Sequence, residues 1–503
     1  MDVESFLTHH GIQEHPFRAE EARDDPVFGR LLESGARHPD FEKVRGQMHR
    51  PSASVVFGEK GSGKTAMRLL LEQHIARHNI EQPDQLVWVV RYDDLNPVLD
   101  RFALHQRRKN DSPNELINRF RLADHMDAIL SRVVTHLVDA LLRQGHTMPT
   151  ATDPIKLARK LPRSKRYDLA VLALLYDQPD TGEVVDRWAR LKRVLRVGRL
   201  PGLGALMWAS LTLTVAAIAL GAAVGLTQLK DVSLLSTLGA CVAGALLGWG
   251  VWIGRHVSIW RQARKMLREV RVVHRTPGTL QKLLGQIPAG QLAAQPLPLP
   301  DDRDSRYQLT RRLLDVLKGF DYVGLVVLVD RVDEPAMING EPERMRSLIW
   351  PMLNNKFLQQ DGVGLKLLLP IELRHLLRRE APDFFQKARL DKQHMIDRLE
   401  WSGATLYDLC TRRLTACQQL GAEPIALTAL FDEDVRAQDL IDALDQMHQP
   451  RDAFKFLYQI ISEHCSNVPH DRPIWRIPRL TLEQVRKVES QRVQDLHRGL
   501  SPS

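Results

Sequence analysis

Gly58, four residues, then Gly63-Lys64-Thr65: the stretch "VVFGEKGSGKTAMRLL" (residues 55–70) spaces its side chains to hold a triphosphate. It is a complete G-x-x-x-x-G-K-[ST] phosphate loop. Glycines let backbone N–H groups curl around phosphate oxygens. Lys64 reaches the β and γ phosphates as a point charge, and Thr65 offers a hydroxyl to Mg²⁺. The expected cofactor-binding run is Gly58, Glu59, Lys60, Gly61, Ser62, Gly63, Lys64, Thr65 and Ala66, and the expected cofactors are ATP and Mg²⁺. A guanine-reading [NT]-K-x-D is absent, which favours ATP over GTP.

A second constellation lies in "YVGLVVLVDRVDEP", Tyr322 to Pro335. An apolar run, Leu325 to Val329, ends in Asp330, as a buried parallel strand with a carboxylate at its tip would. Such an Asp holds Mg²⁺ through water, so Thr65 and Asp330 are the metal-side residues. Many ATPases follow this Asp with a Glu that polarises the attacking water; here Arg331 stands there. Glu334 is the first choice for the base and Asp333 the alternative, so Lys64, Asp330, Glu334 and Asp333 are the catalytic candidates. The competing reading has Asp333 and Glu334 capping the next helix, which leaves a slow enzyme or a switch. Arg451, following Pro450 in "QPRDAFKFLYQIISEH", is a candidate γ-phosphate contact, or else pairs with Asp452 or solvent. Arg374, Arg378 and Arg379 are arginine fingers for a neighbouring subunit or a solvated basic face.

The elements that must position these groups read as an α/β fold. Ala53–Phe57 is a strand and Ala66–His78 a helix. Gln85–Tyr92 is a second strand and Ala123–Leu142 a long helix. Val363–Pro370 is a strand with no polar residue at its tip, and His394–Ser402 is the last strand. Ala404–Cys465 is helical. The fold class is a P-loop NTPase parallel sheet with a helical C-terminal lid and an inserted two-helix transmembrane hairpin. The domains are 1–50, a helical lead-in; 51–185, the first part of the nucleotide core; 186–275, basic flanks and hairpin; 276–402, the second part of the core; and 403–503, lid and tail.

The hairpin is read from two charge-free stretches, Leu200–Leu229 and Val232–Gly254, joined by Lys230 and Asp231. Each is long enough to span a bilayer as a helix, about 203–226 and 233–254. The flanks are basic: Arg187, Arg190, Lys192, Arg193, Arg196 and Arg199 before, and Arg255 to Arg275 after. They hold more net charge than the chain's +9, so the remainder is slightly acidic. The expectation is an inner-membrane protein with two spans and both termini cytoplasmic, its collar on anionic headgroups. Nucleic acid is not an expected partner. The N-terminal stretch has no signal-peptide pattern. Four cysteines with no C-x-x-C fit a reducing compartment.

The phosphate loop, Asp330 and the hairpin between them resemble the KAP family of P-loop NTPases, which is similar to STAND and AAA+ ATPases. The resemblance covers roughly residues 50 to 465 by architecture. The family shows an acidic run of the "DDLDR" kind after the apolar strand; "DRVDE" matches it at Asp330 and Asp333, with Arg331 in place of an acid. The resemblance implies phosphate and Mg²⁺ roles for Lys64, Thr65 and Asp330. It also implies membrane-linked signalling assemblies and, in bacteria, phage exclusion. The expected function is an ATP-dependent membrane switch, homo-oligomeric and with a further protein partner. The alternatives are a non-hydrolysing scaffold and a membrane-tethered DNA-handling ATPase.

Overall fold

The computed structural model describes residues 1–18, 22–33, 37–108, 111–179, 184–197, 203–227, 232–299, 304–419 and 421–497. It is an α/β structure, 61% helical, around a five-stranded parallel sheet. The strands are β1 (Ser54–Gly58), β2 (Leu86–Tyr92), β3 (Tyr322–Val329), β4 (Val363–Pro370) and β5 (His394–Ile396). Their order is β2-β3-β4-β1-β5. β1 runs parallel to β4, with Ser54 opposite Lys366 and Gly58 opposite Pro370, and parallel to β5 on its other side. Continuous apolar runs make β1 and β4 buried along their whole lengths, as strands covered on both faces must be.

β5 is shorter than the sequence suggests. It stops at Ile396, because Asp397 and Arg398 turn outward to Arg374 and Glu59. A single bond, from the Leu399 amide to the Phe57 carbonyl at 2.8 Å, continues the line. The C-terminal helices are Gly403–Ala416, Ala437–Asp445, Pro450–Asn467 and Arg479–His497. They pack with the first residues of the chain: Phe6, Leu7 and Ile12 share one core with Leu406, Phe456 and Ile460. The buried thiols of Cys410, Cys417 and Cys465 are free.

The chain divides into two compact units. The first comprises Met1–Glu81, Arg91–Leu95 and Val326–Ser503; the second comprises Gln82–Val90 and Asn96–Leu325.

Within the second unit the helix Leu122–Leu142 is buried on nearly every face. Its acids are internal and paired. Asp127 accepts from Arg306 at 3.1 Å and from the Tyr176 hydroxyl at 2.8 Å, and Asp124 accepts from Arg271 Nε at 2.9 Å. Arg187 binds Asp177 and Asp139 at 2.9 and 2.8 Å. Arg275 donates to the Asp177 backbone carbonyl. Arg187, Arg271 and Arg275 are therefore buried structural cations, not members of a lipid-facing collar. Basicity alone could not separate the two roles.

The expected membrane spans are overturned. Among the described residues no helix is long and apolar enough to cross a membrane, so a two-span inner-membrane location does not hold. The uncharged stretches form the helices Leu203–Thr227 and Val232–Glu269, which pack against each other. They are rich in Gly, Ala, Ser and Thr, which gain far less in hydrocarbon than Leu or Ile. Freedom from charge is a weaker condition than apolarity. The second helix also continues without a break from the uncharged stretch into its basic end, and Trp249 donates to Thr214 Oγ1 at 3.0 Å. Arg199, the joint at Lys230 and Asp231, and residues 200–202 and 228–229 lie outside the described residues.

Candidate functional site

A buried strand has one place to deliver its next residue, and β1 delivers Gly58 to the carboxyl rim of the sheet. There Gly61 and Gly63 take φ of 100° and 94°, values that disfavour any side chain. Space is short as well: a Cβ on Gly61 would lie 2.9 Å from Arg451 Cβ, and one on Gly58 would lie 2.4 Å from Ser62 Oγ. The helix Lys64–Glu81 begins directly after this turn, so its unpaired N–H groups and positive dipole end face the loop. The Lys64 ammonium donates to the carbonyls of Gly58 at 2.8 Å and Glu59 at 2.7 Å. Burial lowers its pKa, opposed by the fields of Asp330, Asp333, Glu372 and Glu59.

β3 ends beside this loop. Because β4 lies between β1 and β3, their tips are about two strand spacings, ~10 Å, apart. Side chains close the gap: Thr65 Oγ1 donates to Asp330 Oδ2 at 3.0 Å. Asp330 is 1% exposed. Burial raises its pKa, while the Thr65 hydrogen bond and the Arg68 and Lys64 charges oppose that rise.

Arg68 was not among the residues singled out by sequence. Its Nε meets the same Asp330 oxygen at 3.3 Å, and its NH1 reaches Glu72 and, at 3.4 Å, Asp93. Arg91 also pairs with Glu72, at 2.9 Å. Two signals could have found this network. Arg68 follows Thr65 by one helical turn, and Asp93 follows the apolar run of β2 as Asp330 follows that of β3. Glu372, two residues past the end of β4, is the acidic group at a strand tip that looked apolar.

Arg331 and Glu334 face each other. Arg331 adopts φ 57° and donates from Nε to Glu334 Oε1 at 2.7 Å. Neither Asp333 nor Glu334 caps the following helix, Pro342–Ile349, whose N-cap is Glu341. They belong instead to the turn closed by Glu334 N–H to Arg331 O at 3.2 Å and Gly340 N–H to Asp333 O at 2.9 Å.

The cavity at this rim measures about 200 Å³. Lys60, Gly61, Gly63, Lys64, Thr65 and Ala66 form its floor. Asp330, Arg331, Asp333 and Glu334 line one side, and Arg451 another. Phe28, Leu31 and Leu409 supply an apolar wall, so the N-terminal lead-in is part of the site. Gly58, Glu59 and Ser62 stand behind the lining. Glu59 pairs with Arg398 at 2.5 Å, and the Ser62 carbonyl accepts from Trp401 Nε1 at 2.8 Å. Trp401 in turn packs edge-on against His38, ring centroids 4.8 Å apart. The helix holding Arg451 begins at Pro450, and the Arg451 amide lies 3.5 Å from the Gly61 carbonyl. Arg374 is held by Asp397 at 3.0 Å, whereas Arg378 and Arg379 are exposed.

Set beside protein-family models, curated proteins and solved structures, the chain has no significant match. Its chemistry is therefore read from the site alone.

The residues present fit a magnesium–triphosphate group. The positive-φ glycines form a cradle that a Cβ would fill, and the Ser62 hydroxyl is buried without a hydrogen-bond partner. Lys64 and the helix N-terminus offer positive charge to phosphate, and Thr65 and Asp330 offer the oxygen pair that suits Mg²⁺. Among the described residues no cluster of three or more His, Cys, Asp and Glu side chains forms a site for another metal.

Proposed function

We propose that this chain is a P-loop ATPase that acts as a nucleotide-dependent switch, akin to the KAP, STAND and AAA+ proteins. The observation that carries the reading is the 3.0 Å approach of Thr65 and Asp330 beside the Lys64 ammonium. Lys64 neutralises the β and γ phosphates. Thr65 and Asp330 orient Mg²⁺, which supplies charge neutralisation of the triphosphate. The apolar wall of Phe28, Leu31 and Leu409 takes the base. Arg451, on the helix that touches Gly61, couples the C-terminal helices to the state of the phosphates. Exposed Arg378 and Arg379 are available to a second copy of the chain in a homo-oligomer, and a further protein partner would read the switch. Signalling and phage defence are the roles that this resemblance in motifs suggests.

A second reading, a nucleotide-binding scaffold without turnover, is favoured by the Arg331–Glu334 pair, which engages the expected base. Calorimetric titration of Mg²⁺-ATP into the full chain tests the shared premise. Wild type should bind ATP in preference to GTP, and Lys64→Ala should lose binding while keeping its fold by circular dichroism. Tight ATP binding by a folded Lys64→Ala protein would overturn both readings.

A further inference from the structure

At the amino end of the strands, away from the phosphate loop, lies a second cavity of about 330 Å³. Its lining holds two arginines, Arg45 and Arg77, and three histidines, His49, His74 and His78, with one acid, Glu81. Four of these come from the helix Lys64–Glu81, and Arg45 and His49 come from the segment leading into β1. Arg45 pairs with Glu42 and donates to His74 Nε2 at 2.7 Å, so this imidazole nitrogen is an acceptor. The Nε of Arg45 is buried and unpartnered.

Behind the lining is a second orphan. Lys366 sits in the middle of the sheet, 1% exposed, and its ammonium has no hydrogen-bond partner. It lies 3.8 Å from the position a Cβ on Gly46 would take, and Gly46 lines the cavity with φ 64°. A side chain there would press on Ser52 Oγ, 2.9 Å away, and touch the amine. A buried, unpaired ammonium is costly, and burial alone pushes the Lys366 pKa down to about 7. The sequence partner of Lys366 across the sheet is Ser54, the first residue of β1, whereas the phosphate loop starts at Gly58, the last. The two cavities are at opposite ends of the same strand.

We propose that this cavity is a second anion site, separate from the phosphate loop, that binds a small phosphate monoester. Arg77 and the unpartnered Nε of Arg45 supply charged donors, the histidines add donors, and the Lys366 amine, behind Gly46 of the lining, supplies positive charge when protonated. Its volume exceeds that of a bare phosphate, which leaves room for the esterified group. The site lies on the helix that starts at Lys64, so occupancy at one end can bias the other through a shared rigid element.

The test uses the full chain in phosphate-free buffer. Inorganic phosphate and phenyl phosphate are titrated into wild type, Lys64→Ala, Arg45→Ala/Arg77→Ala and Lys366→Met, followed by calorimetry and thermal unfolding. Saturable binding is expected in wild type and in Lys64→Ala. It should be at least about ten-fold weaker in the double variant and in Lys366→Met. ATP binding should persist in the double variant, which separates this proposal from the nucleotide reading. Absence of saturable binding in a folded Lys64→Ala protein would overturn the site, as would unchanged affinity in the double variant. Tighter binding of a short oligothymidylate than of phenyl phosphate, lost in the same double variant, would overturn the small-ligand assignment.

Discussion

Arg331 holds Glu334: a 2.7 Å hydrogen bond joins Nε of the first to Oε1 of the second across one turn. The pair determines whether Glu334 is available to a water. Arg331→Ala should release the carboxylate and raise steady-state ATP turnover several-fold over wild type. Glu334→Gln in that background should remove roughly 10²-fold or more, the usual worth of a general base. Turnover unaffected by both changes would transfer the role to Asp333.

Gly61 combines a positive φ with a close neighbour. Gly61→Ala should cost about 1–2 kcal/mol from backbone strain, and its methyl group would also press on Arg451. Gly340 has φ 69° and open space around it, so Gly340→Ala isolates the strain. Chemical denaturation should show both losses, while calorimetry should show weakened ATP binding only for Gly61→Ala. Equal ATP affinity in the two variants would remove Arg451 from the nucleotide site.

Arg68 meets Asp330 Oδ2 at 3.3 Å, and it also holds Glu72 and Asp93. Arg68→Met leaves the buried Asp330 carboxylate without this ion-pair partner, which should cost about 3–5 kcal/mol in metal-free protein. Mg²⁺-ATP should narrow the gap, because the metal restores positive charge beside Asp330. Urea unfolding with and without Mg²⁺-ATP checks both halves. A deficit that the ligand leaves unchanged would place Arg68 outside the metal site.

Lys366 gives a pH signature. Burial pushes its pKa in the folded chain down to about 7 from the ordinary lysine value of 10.5. Between those values the unfolded chain binds a proton that the folded chain does not, so stability rises with pH across that window. Below about 7 both states are protonated and the full burial penalty applies. Lys366→Met removes the penalty. In anion-free buffer the variant should be more stable than wild type near pH 6, by about 5 kcal/mol at most. The advantage should shrink steadily toward pH 10. Denaturation at a series of pH values reads this difference, and a pH-independent gap would contradict it.

How much was legible depended on range. The phosphate loop is contiguous, so Gly58 to Thr65 carry their own geometry, and the apolar run before Asp330 announces a strand tip in any setting. The parallel α/β class and the boundaries of β2 and β4 followed from periodicity and burial for the same reason. The charge-free stretches misled, since lack of charge does not measure the transfer free energy of Gly, Ala, Ser and Thr. The basic flanks misled too, because Arg187 and Arg271 find buried acids, and Arg275 a buried backbone carbonyl, more than a helical turn away in sequence.

The sequence by itself determined which residues are candidates to hold phosphate and metal, because that candidacy resides in residue type and short spacing. Tertiary structure alone decided that Thr65 meets Asp330 across 265 positions, that Arg68 joins them, and that Arg331 engages Glu334. It also decided that Lys366 is left unpaired beneath a basic pocket. Strand order and side-chain packing set those distances, and neither is written in any local stretch of the chain.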